Sequence, residues 1–175
     1  LWFLAVPLKG DPVVLNPING GMSLGGVFLN ATRTHFGFGW EQLDKPYEAF
    51  VTSVEKFNPV AVSKLHVELP KLPLGKTEII RWKSTDDLEI EGLLTYPVDY
   101  KRGTRYPLLL VVHGGPMGVF TQTFDGTAAT YPVAAFAAKG YAVLRANPRG
   151  SSGYGKQFRY ANYGDWGGGD YRDLM

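Results

Sequence analysis

The chain has 175 residues, 45% of them hydrophobic and 14% aromatic, with a net charge of +2. This composition supports a packed core, and it excludes a disordered chain and a polyanion binder driven by bulk charge. There is no cysteine, so a disulfide scaffold, a thiolate metal site and a cysteine nucleophile are excluded as well.

The chain starts Leu1-Trp2-Phe3-Leu4, without an initiator Met or a charged leader, and stops at Asp173-Leu174-Met175 inside an expected helix. It reads as an internal piece of a longer protein, with any targeting signal lying upstream. No run reaches the roughly 18 apolar residues of a membrane span.

Residues 1–60 predict short strands divided by turn clusters. Residues 2–6 and 13–15 are apolar runs around Lys9-Gly10-Asp11-Pro12, and residues 27–29 precede the turn Asn30-Ala31-Thr32-Arg33. Along His35-Phe36-Gly37-Phe38-Gly39-Trp40, aromatic and small residues alternate with a period of two. Residues 47–54 form a further β-branched and aromatic run. Such spacing predicts an antiparallel all-β module, a sandwich or a propeller blade. Residues 61–76, punctuated by Pro70 and Pro73, predict a linker.

After Thr77 the pattern changes. Residues 78–83 and 88–96 predict a hairpin turning at Ser84-Thr85-Asp86-Asp87. Residues 107–113 are nearly continuous apolar, which predicts a strand buried on both faces. An Ala-rich stretch, 131–139, predicts a helix stopped by Gly140, and residues 141–146 the next strand. Strand, crossover helix, strand forces a parallel pair. A last helix is expected near Asp170, with Asp170 and Asp173 as capping carboxylates. The fold class expected is α/β with a mixed, mostly parallel sheet.

Several motifs sit at strand ends. His113-Gly114-Gly115-Pro116 follows the apolar strand, at the sheet edge where open α/β folds bind ligands. Its glycines let backbone approach a substrate, and a peptide N–H there can face a developing oxyanion. His113 reads as bonding loop backbone, because in this arrangement the base comes last in the chain. Asn147-Pro148-Arg149-Gly150-Ser151-Ser152-Gly153-Tyr154-Gly155-Lys156 closes the next strand. It nearly matches a phosphate-binding loop, but Gln157 replaces the needed hydroxyl and no clear helix opens there. It reads as a glycine-rich loop with Arg149 bonding carbonyls. Gly21-Met22-Ser23-Leu24-Gly25 has the letters of a nucleophile elbow without the strand before it or the helix after it. No cluster has metal-ligand spacing.

Residues 107–116, 140–155 and 165–171 (Asp165-Trp166-Gly167-Gly168-Gly169-Asp170-Tyr171) together resemble the prolyl-oligopeptidase family of serine peptidases. The similarity is to its dipeptidyl-peptidase and acylaminoacyl-peptidase-like branch. It is strong over 77–175 and weaker over 1–76. The resemblance implies the end of a β-propeller over 1–60, the linker over 61–76, and the N-terminal half of an α/β-hydrolase domain over 77–175. The activity it implies is hydrolysis of short peptides through an acyl-enzyme, with a Ser-Asp-His triad lying beyond Met175. It carries Gly115 over as a backbone oxyanion donor, with Gly114 and Arg149 as substrate contacts. Some branches place a tyrosine where His113 stands, so the histidine favours the acylaminoacyl-like arrangement. No cofactor or metal is implied, and the partner is a short peptide, with neither nucleic acid nor membrane. Relatives of this branch point to export rather than to the cytoplasm. An esterase on the same scaffold and a non-catalytic peptide binder remain as alternatives, and the 175 residues alone are expected to be inactive.

Overall fold

Glycines between aromatics give residues 35–40 one bulky face, and the computed structural model buries that face. The structure describes residues 26–175, together with the backbone of strands β1 (Phe3–Ala5) and β2 (Val13–Leu15), which pair antiparallel. The elbow-like letters around Ser23 lie outside the described residues. The chain divides into two compact units. One comprises Leu1–Lys71 with Gln122–Phe124, the other Leu72–Thr121 with Asp125–Met175.

In the first unit, β3 (Phe28–Leu29), β4 (His35–Gln42), β5 (Lys45–Ser53) and β6 (Val60–Ala61) form an antiparallel sheet in chain order. Phe38 stands opposite Phe50, and Phe36 opposite Thr52. Phe36 and Phe38 are each only 5% exposed and gather Trp40, Phe50, Val54 and Phe57 around them. Aromatic and β-branched residues on one pleated face are what stabilise such a sheet. A bulge between Trp40 and Gln42 breaks the register near the turn into β5.

The second unit holds the sheet that positions the site. Its strands are β7 (Thr77–Lys83), β8 (Glu89–Thr95), β9 (Leu108–Val112) and β10 (Ala142–Asn147), in the order β7-β8-β10-β9. Helix α1 (Val133–Ala138) is the crossover between β9 and β10. It packs Val133 against Val111 and Val143, with Leu109, Phe120 and Phe136 at the border of that cluster. The sheet is mixed, but not mostly parallel as expected. Only β9 and β10 run parallel, while β10–β8 and β7–β8 are antiparallel.

The sequence also predicts β9 as buried on both faces, and this is corrected. The crossover carries β10 past β9 to pair with β8, leaving β9 at the edge of the described sheet. Leu108 and Val112 are 56% and 45% exposed there.

Beneath the sheet a buried ion pair, Arg145–Asp125 at 2.6 Å, is joined by Thr77, whose hydroxyl donates to Asp125 at 2.6 Å. Burial pushes the Asp125 carboxyl upward, against the pull of Arg145.

Two short helices complete the unit, α2 (Lys156–Tyr160) and α3 (Gly169–Leu174). A helix therefore does open after the glycine loop, contrary to expectation. At five residues it is too short to show periodicity, and one buried side chain, Phe158, anchors it with its ring 4.8 Å from that of Tyr154. Among the described residues no helix is long and apolar enough to cross a membrane.

Candidate active site

The carboxyl ends of β9 and β10 lie side by side because these two strands run parallel. Each continues into a glycine-rich loop, residues 113–121 after β9 and residues 148–155 after β10. This is the edge of an open α/β sheet where ligands bind.

Gly115 has φ +121°, a conformation that L side chains rarely adopt. The residue is exposed, and among the described residues no acceptor stands against its N–H. Gly114 beside it is also exposed, and its carbonyl accepts the Gly118 N–H at 3.3 Å. A tight turn thus leaves one backbone donor unclaimed on an exposed residue. Such a donor can stabilise charge that develops on a carbonyl oxygen.

The second loop braces the first. Asn147, 1% exposed at the end of β10, accepts the Phe120 N–H at 2.7 Å and donates to the Phe120 carbonyl at 2.9 Å. Its remaining amide hydrogen goes to the Tyr154 hydroxyl at 2.9 Å, and Tyr154 donates to Glu91 at 2.9 Å. Burial pushes the Tyr154 hydroxyl up to about 12, and the neighbouring Glu91 adds to the rise.

His113 places Nδ1 3.3 Å from the Gly114 carbonyl and Nε2 3.0 Å from the Ser151 hydroxyl. Because Ser151 gives its hydrogen to another acceptor, Nε2 is the donor to the serine and Nδ1 carries no hydrogen for the Gly114 carbonyl. His113 thus bonds a side chain and only packs against the loop backbone that it is expected to bond. The serine contact went unread in the sequence, where Ser151 is one of two serines in a loop 38 positions away. This serine and histidine do not make a reactive pair. Ser151 is 0% exposed, and its single hydroxyl hydrogen is donated to the Pro148 carbonyl at 2.6 Å.

Arg149 differs from expectation. Carboxylates hold it rather than loop carbonyls, and its side chain is 8% exposed. Asp173 accepts from its backbone N–H at 2.7 Å and from Nη2 at 2.7 Å, and Asp86 accepts from both Nη atoms at 2.8 Å. The Ser84 hydroxyl lies 3.3 Å from Nη2. These hydrogen bonds and opposite charges hold the Arg149 guanidinium above its ordinary value and lower the Asp86 carboxyl to about 2. Arg149 therefore fastens the β7–β8 turn and α3 to its own loop, instead of reaching the loop surface.

Asp173 is accordingly no helix cap. That part falls to Asp165, whose carboxylate accepts the Gly169 N–H at 2.8 Å. Its resemblance to an N-cap partner hid Asp173 in the sequence, since nothing local links it to Arg149.

Two glycine-rich loops at the carboxyl ends of parallel strands stand where open α/β sheets bind ligands. Residues 128–175 match the Prolyl oligopeptidase family, and the family resemblance read from the sequence therefore holds. The uncharacterized peptidase YuxL of Bacillus subtilis is 42% identical over 98 residues, covering 56% of this chain and 14% of the relative. Dipeptidyl-peptidase 5 of Schizosaccharomyces pombe is 32% identical over 133 residues, covering 75% of this chain and 18% of the relative. The chain thus spans less than a fifth of either one. Among solved structures, an acylaminoacyl peptidase in complex with Z-Gly-Gly-Phe-chloromethyl ketone superposes with a TM-score of 0.77 at 25% identity, covering 95% of this chain and 25% of that one. The acylaminoacyl peptidase of Pyrococcus horikoshii gives 0.75 at 26%, covering 92% and 24%.

Proposed function

We propose that this chain is part of a serine peptidase that hydrolyses short peptides through an acyl-enzyme, as a dipeptidyl or acylaminoacyl peptidase does. In this reading residues 1–60 are the last strands of a β-propeller, 61–76 a linker, and 77–175 the first part of an α/β-hydrolase domain. The Gly115 N–H is one donor of the oxyanion hole, with Gly114 lining the substrate path. Arg149 acts on the substrate only through the loop it fastens. The observation that carries the reading is the unclaimed N–H of the exposed Gly115 after β9, in a segment similar to peptidases.

The chemistry divides by residue. As a nucleophile attacks the scissile carbonyl, its oxygen gains charge, and the Gly115 N–H donates to it without needing to reorganise. Activating the nucleophile needs a hydroxyl against a base that a third group orients. Ser151 and His113 do not supply this, because the serine is sealed from solvent and bonded to a carbonyl. The triad is therefore assigned to sequence of the parent protein outside these 175 residues.

The test uses the full-length parent. A fluorophosphonate probe should label it on a serine outside this chain, and the 175 residues alone should remain unlabelled. Gly115→Val should lower kcat by about 10²–10³ and change KM little, since the interaction forms in the transition state. Stoichiometric labelling of Ser23, Ser151 or Ser152, or a folded Gly115→Val enzyme with normal kcat, overturns the proposal.

A further inference from the structure

Two consecutive serines take no part in that chemistry, yet both grip the loop that carries it. Ser151 gives its only hydroxyl hydrogen to the Pro148 carbonyl, so its oxygen is left to accept from His113 Nε2 at 3.0 Å. That contact fixes the imidazole from behind. Nδ1 then carries no hydrogen, and that edge of the ring packs against the loop 3.3 Å from the Gly114 carbonyl, which is held by the Gly118 N–H at 3.3 Å. A peptide unit is planar and trans, so holding its carbonyl end directs its N–H end the opposite way. The N–H of that unit belongs to Gly115.

Ser152 grips the next turn of the same loop. Its hydroxyl donates to the Met117 carbonyl at 2.7 Å, and its backbone N–H to the Gly118 carbonyl at 3.2 Å. The loop is closed so tightly at Gly118 that a Cβ there would stand 2.6 Å from the Gly114 carbonyl oxygen and 2.7 Å from His113 Nδ1. Gly114, Gly115 and Gly118 bring no side chains to this turn, and the serines support it from outside.

We propose that Ser151, acting through His113, and Ser152 are positioning residues that set the direction of the Gly114–Gly115 peptide. Neither serine touches substrate. The inference rests on the reading of Gly115 as an oxyanion donor. Its energetic logic is that a donor misplaced by about 1 Å can cost on the order of 10²-fold in rate. Binding of the ground state does not depend on that donor, so the loss belongs in kcat.

The test compares Ser151→Ala, Ser152→Ala and Ser152→Thr in the full-length parent. A short peptide p-nitroanilide gives kcat and KM, and thermal melting gives stability. Expected for both alanine variants is a kcat lower by roughly ten- to a hundredfold, with KM held within about twofold and an unchanged melt. Ser152→Thr retains the hydroxyl and should keep the wild-type kcat. If Ser151→Ala fails to fold, the two Ser152 variants decide. Alanine variants with wild-type kcat, or a loss shared equally by Ser152→Ala and Ser152→Thr, overturn the proposal. If Gly115→Val lowers kcat in the same assay while the serine variants do not, only the serines' part is lost. If Gly115→Val is itself silent, the oxyanion reading falls.

Discussion

Arg149 shows how one buried charge divides its dependence between two partners of unlike exposure. Asp173 is 0% exposed and Asp86 is 53% exposed by side chain. Removing the buried partner takes the acceptor from the Arg149 backbone N–H and Nε in the interior, a loss of the kind that costs about 3–5 kcal/mol. Removing the exposed one leaves water to take its place, and exposed pairs contribute little. Asp173→Ala should therefore lower the melting temperature far more than Asp86→Ala; equal effects would refute this division. Asp86 also gives the fold a pH signature. Its folded value of about 2 lies below the ordinary 3.8, because Arg149 donates to the ionised form. A depressed carboxylate adds stability that is complete above the unfolded value and is lost as the folded value is approached. The gap in melting temperature between wild type and Asp86→Asn should thus close as pH falls from about 4 to 2; a gap constant across that window removes the pair from the account. The importance of Arg149 was legible in the sequence, but its partners were not. Asp86 is 63 positions away and Asp173 is 24, and only strand pairing together with the placement of α3 brings three such residues together.

β9 carries the element-scale consequence. Its edge presents Leu108 and Val112 to solvent beside unpaired backbone groups, and an exposed apolar edge is a template for another strand. The 175 residues expressed alone should aggregate, and Leu108→Lys, which places a charge on that edge, should raise the soluble fraction. A soluble monomer with a sharp melt would contradict this. The sequence predicts β9 as a strand buried on both faces, and the reason it stands at the edge instead is instructive. Apolar runs and the Ala-rich crossover make the strands and their parallel pairing readable, because both depend on local pattern. Which side of β9 the returning strand takes depends on what β8 offers, and no local pattern records that. Helix α2 escaped for the opposite reason, since one turn around Phe158 leaves too little pattern to read.

At the scale of the whole molecule, the residue-level braces and the strand pairing meet at Asn147. The α/β class and the glycine loops were legible because strand, helix and strand alternate along the chain. The grip of Asn147 on Phe120 was not, since a side chain there does what backbone usually does. That grip has a consequence in time. A loop amide ordinarily exchanges its hydrogen with solvent through small local openings. The Phe120 amide is bonded at 2.7 Å to a carboxamide that is itself 1% exposed at the end of a central strand. Its deuterium uptake in the parent protein should therefore run at the slow pace of the β10 amides, while the Gly115 amide, five residues earlier, exchanges at nearly the rate of an unfolded chain. Similar uptake at the two positions would mean that the loop breathes independently. With the expected contrast, the rim of the site loses its shape only when the sheet beneath it opens.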